Sequence, residues 1–136
     1  MTIDDIREIH PHDIPLWLGV ETATWRLALA AKVNIHRVVP VPRKETARAS
    51  GWTFWGPRPQ IKIGLRRWEG ATLGWGPRFT QHFILDTIAH EVAHLKAGLK
   101  ADHGPKFFLA FADMLRLAEK INIRVDIESS GAILPK

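Results

Sequence analysis

The sequence predicts an α+β domain, and three observations predict it. Apolar residues recur at helical spacing over about 14–32 and 80–98, a third helical stripe follows Gly104, and β-branched residues crowd the stretch between the first two. A length of 136 residues with 46% apolar side chains suits one core, so a single domain is expected over 1–136, with its core elements in about 14–127. Charged residues at 24% and the lack of a solenoid-length repeat exclude wholesale disorder and repeat architectures.

The N-terminal helix is expected from Ile14 to Lys32, with Asp13 as its cap, Pro15 in its first turn, and Leu16, Val20, Ala23, Leu27 and Ala31 on one stripe. Three extended runs follow: Val33–Val41, ended by Pro40 and Pro42; Ala47–Trp55; and Gln60–Arg66, where Ile61, Ile63 and Leu65 alternate with polar residues. The Gly56-Pro57-Arg58-Pro59 turn joins the last two, which predicts a small antiparallel sheet. Glu69–Pro77 reads as a Gly-rich loop.

Thr80 caps a long helix whose apolar stripe is Phe83, Ile84, Ile88, Val92 and Leu95, and Gly98 ends it. The C-terminal helix starts near Gly104 with Pro105 in its first turn, and Phe107, Phe108, Phe111, Met114, Leu115 and Ala118 form its expected core face. Ile121–Ile127 alternates as a short edge strand, and Ser129–Lys136 is expected to be loose.

The net charge of +5 is unevenly placed. From Arg37 to Arg78 seven Arg and two Lys face only Glu45 and Glu69, a net +7 that leaves −2 for the rest. Trp52, Trp55, Trp68 and Trp75 lie in this segment, so cations and flat stacking surfaces coincide, the pairing used to bind single-stranded nucleic acid. The candidate contacts are Arg43, Lys44, Arg48, Trp52, Trp55, Arg58, Arg66 and Arg67; a solvated sheet face over a tryptophan-filled core would give the same composition. No apolar run reaches membrane-spanning length, and acidic residues follow Met1 where a signal peptide has basic ones, so the expected setting is cytoplasmic with no membrane partner.

With no cysteine in the chain, any metal site must be built from His, Asp or Glu. The run His90-Glu91-Val92-Ala93-His94 puts two imidazoles on one helix face, one turn apart. Seven His and seven Glu in 136 residues make this pattern a rare chance event, expected about 0.02 times over the chain. Neutral imidazole suits Zn2+, and three protein ligands leave a fourth position for water, which Glu91 can serve as general base. His103 is the preferred third ligand: the helix runs about 6 Å from His94 to Gly98, and the next five residues can span about 16 Å back. Glu119 is the competing ligand. The metzincin pattern is excluded, because Ala97 and Lys100 occupy its Gly and third-His positions.

His90-Glu91-Val92-Ala93-His94 followed by His103-Gly104-Pro105-Lys106-Phe107 resembles the SprT-like metallopeptidases, the family that includes the Spartan proteases. The resemblance implies a zincin-like fold, zinc held by His90, His94 and His103, and Glu91 as catalytic acid/base. It also implies a protein substrate attached to or bound on DNA. Many members carry a cysteine zinc ribbon, for which this chain has no residues.

The expected activity is therefore zinc-dependent peptide hydrolysis, with Glu91 activating a zinc-bound water and with protein or peptide as substrate. Zinc itself, His82 or Arg78 is left to stabilise the oxyanion, since the chain has no tyrosine, and strand addition at Gln60–Arg66 is expected to align the peptide. His10, His12 and His36 are read as solvated. Two other readings fit the same residues: a nucleic-acid-binding module with a structural or idle metal, and a regulatory protease independent of DNA.

Overall fold

The computed structural model describes residues 2–125. A short helix α1 (Ile3–Arg7) and a 3-10 turn at Pro11–Asp13 lead into α2 (Ile14–Ala30), which buries Leu16, Trp17, Val20, Ala23, Leu27 and Ala28. Pro15 sits in the first turn and Asp13 at the N-cap position as expected, but the Asp13 side chain makes no capping bond. The Asp13 carboxylate, 1% exposed, is instead clamped by two arginines, with Arg66 Nε 2.7 Å from Oδ2 and Arg78 Nη2 2.6 Å from Oδ1. A carboxylate buried this deeply needs full charge pairing, which a pair of guanidinium forks supplies and a helix N-terminus alone does not.

Strands β1 (Arg37–Pro40), β2 (Gly51–Phe54) and β3 (Gln60–Ile63) form one sheet in the order β1-β3-β2. The pairing of β2 with β3 is antiparallel, but β1 runs parallel to β3, so the sheet is mixed and not the antiparallel one expected. The connection between β1 and β2 is long enough for β3 to enter between them. All three strands are also shorter than their sequence runs. Val33 closes α2 by donating to Ala28 O, and β3 stops short of Arg66, with Gly64 N making one further bond to Ser50 O.

Arg66 begins a separate antiparallel hairpin of β4 (Arg66–Trp68) and β5 (Trp75–Arg78). Trp75–Arg78 lies partly within the segment expected to be loop. The turn between the strands is closed by Gly74 N donating to Gly70 O, and Trp68 meets Trp75 edge-on at 5.2 Å, a cross-strand pair that stabilises a short ladder.

The last two helices follow the local signals closely. Thr80 Oγ1 accepts from Phe83 N at 3.2 Å to cap α3 (Gln81–Ala97), and Gly98 ends it with φ +94°, a region that favours glycine. Helix α4 (Pro105–Lys120) packs on α3 through Phe107, Ala110, Met114 and Ala118. Phe108, on its expected core face, is 58% exposed, and Leu115 is 37% exposed. After α4 the chain turns at Asn122 (φ 57°) and buries Ile123 and Val125 without strand pairing. The rest of the expected strand and all of Ser129–Lys136 lie outside the described residues. Side chains of α2, β1, β3, α3 and α4 meet in one apolar cluster, and among the described residues no helix is long and apolar enough to cross a membrane.

Candidate metal centre

Helix α3 presents His90 and His94 one turn apart, and their Nε2 atoms lie 3.1 Å from each other. His103 reaches them from the turn between α3 and α4, with its Nε2 3.4 Å from that of His90. Ligands at about 2.0–2.1 Å from a tetrahedral ion stand about 3.3 Å apart, so these separations suit a shared metal ion. The three rings form a group whose ligating atoms all lie within 4.8 Å of one another.

The surroundings of the rings favour the ligating form. Asp102, held at φ 45°, brings its Oδ1 to 3.5 Å from His103 Nδ1, on the side of the ring away from the Nε2 that faces His90. Phe107, fully buried, stacks on His94 at 4.3 Å and meets His103 nearly edge-on at 5.0 Å. Burial and the neighbouring rings push the His94 imidazole down to about 4, and burial followed by His103 lowers His90. Neutral imidazoles with converging lone pairs are what a divalent cation needs.

Glu91 lies on the α3 face covered by β2. Thr53 Oγ1 donates to its Oε1 at 2.7 Å, the closer of two acceptors for that single hydrogen; the Glu91 carbonyl is 3.1 Å away. Burial raises the carboxyl to about 7 against the opposing effect of the Thr53 hydrogen bond. Gly51, two residues before Thr53, allows this approach: a Cβ there would stand 2.7 Å from Glu91 Oε2 and 2.6 Å from Thr87 Cγ2. On the other side of Thr53, Trp55 donates its indole N–H to His94 O at 3.2 Å, with its ring edge-on to the imidazole. Alternate residues at 51, 53 and 55 thus register β2 and its end against the metal helix. A groove bordered by Arg48, Ser50, Phe83, Asp86 and Phe111 opens onto both His90 and Glu91.

The structure therefore brings His90, His94 and His103 together, places Glu91 on the groove it shares with His90, and leaves Glu119 out. Glu119 is exposed in the last turn of α4, about 22 Å along the helix from Gly104. Arg78 is not available to an oxyanion because Asp13 holds it, and the exposed His82 lies about 12 Å along α3 from His90. His10 is half-buried and not solvated: its Nδ1 accepts from His12 N, whereas His12 and His36 are exposed.

Of the basic segment, Lys44, Arg48, Trp52 and Arg58 are exposed. Arg43 is exposed with its guanidinium 4.8 Å above Trp68, and Arg67 donates to Ala47 O. Two of the expected nucleic-acid contacts are committed elsewhere: Arg66 to Asp13, and Trp55 to His94. Sequence reasoning missed Thr53 and Gly51; the small residues alternating at these two positions were the available signal. No family profile, curated protein or solved structure matches this chain.

Proposed function

We propose that the chain is a zinc-dependent endopeptidase with a zincin-like fold of the SprT-like type, acting on proteins associated with DNA. The observation that carries this reading is the convergence of three imidazole nitrogens, with His90 and the buried Glu91 lining one open groove. Three protein ligands suit a catalytic ion better than a structural one, which is normally closed by a fourth. When bound there, zinc would supply Lewis acidity toward a peptide carbonyl and make a water acidic near neutral pH.

Glu91 takes the proton of the attacking water and returns it to the departing amine. Thr53 holds one carboxylate oxygen, so the other serves for proton transfer. His90, His94 and His103 would hold the ion, and the Phe107 ring packs against all three imidazoles. With β3 paired on both sides, it offers no edge for strand addition; β2, at the end of the sheet and directly against α3, takes that role for an extended peptide.

The test is digestion of a DNA-binding protein by the zinc-loaded chain, with and without single-stranded DNA, beside Glu91→Gln. Cleavage by the wild type alone, enhanced by DNA, is expected. Equal cleavage by Glu91→Gln removes the proposed base, and no cleavage under any condition removes the peptidase.

A further inference from the structure

We infer that the outer face of β2 and β3 is a stacking platform for single-stranded DNA. Strand β2 has two functional sides. Gly51 and Thr53 turn toward α3 and Glu91, so Trp52 and Phe54 project from the opposite face of the sheet. Their side chains are 44% and 43% exposed, and the rings lie 6.1 Å apart at 25°. Two large aromatics side by side in solvent gain nothing for the core, yet they present π-faces suited to unpaired bases.

The charge beside them matches a polyanion. Lys62 pairs in register with Trp52, and its Nζ stands 5.0 Å from the Phe54 ring centre. Arg58 adds an exposed cation on the turn joining β2 to β3. At the β1 border of this face Asp5 pairs with Arg37 at 3.2 Å. Stacking rings with adjacent cations select bases that are not already stacked in a duplex, which specifies a single strand. The inference rests on the DNA part of the proposed function and is independent of its peptidase part.

The experiment measures binding of a fluorescein-labelled oligothymidylate to the zinc-loaded full chain by anisotropy. Replacing Trp52 and Phe54 together by Ala should weaken binding by at least about tenfold, with zinc content and thermal melting retained. Thr replacements, which keep strand propensity, serve if the Ala pair does not fold. Lys62→Ala should flatten the salt dependence. The inference is overturned if the wild type does not bind, if the aromatic variants bind undiminished, or if duplex of equal length binds as tightly. Glu91→Gln should bind DNA normally, so loss of proteolysis and loss of DNA binding are read separately.

Discussion

The hydroxyl of Thr53 on β2 donates to the carboxylate of Glu91 on α3 at 2.7 Å, joining the sheet to the residue proposed as catalytic base. Replacing Thr53 by Val keeps the shape and removes the donor, leaving a buried acceptor unpaired. The expected outcome is a loss in kcat on the order of tenfold with little change in KM and unchanged zinc content. Thr53→Ser should recover most of the loss; steady-state kinetics of the three proteins decide the point.

Gly51 should tolerate no side chain. The added Cβ of Gly51→Ala meets Glu91 Oε2 and Thr87 Cγ2 below 3 Å, so β2 must move off α3 or the carboxylate must turn away. Overpacking of this kind costs about 1–3 kcal/mol, read as a lower midpoint in denaturant titration, with activity falling alongside.

How much of this was readable beforehand depends on how far apart the deciding residues lie. Thr80, Gly98 and Pro105 set the ends of α3 and α4 through contacts within a few residues, so those helices and the His90–His94 spacing followed from sequence alone. The sheet did not, because β3 is placed between β1 and β2 by pairing across the chain and no local pattern encodes that order. Asp13 illustrates the same limit: its sequence neighbours suggest a cap, while arginines 53 and 65 residues away determine what it does. The alternation over Gly51, Thr53 and Trp55 was visible, but only the position of α3 gives it meaning.

Stability of the metal-free protein should depend on pH in two opposed ways. Glu91 is raised from 4.5 to about 7 in the fold, so its contribution is present below 4.5 and is lost as pH rises through about 7. His94 is lowered from 6.5 to about 4, so its contribution is present above 6.5 and is lost as pH falls toward 4. Denaturant titrations in chelator should therefore show Glu91→Gln more stable than wild type at pH 8 and the difference shrinking toward pH 4. An unchanged difference across that range would remove the buried, proton-holding Glu91.

The central claim is that His90, His94 and His103 share one ion, and a competition titration of zinc against a chromophoric chelator tests it most directly. One tight zinc per chain is predicted for the wild type and for Glu119→Ala, with affinity reduced at least about a hundredfold in His103→Ala. Zinc bound as tightly by His103→Ala as by the wild type would contradict the site.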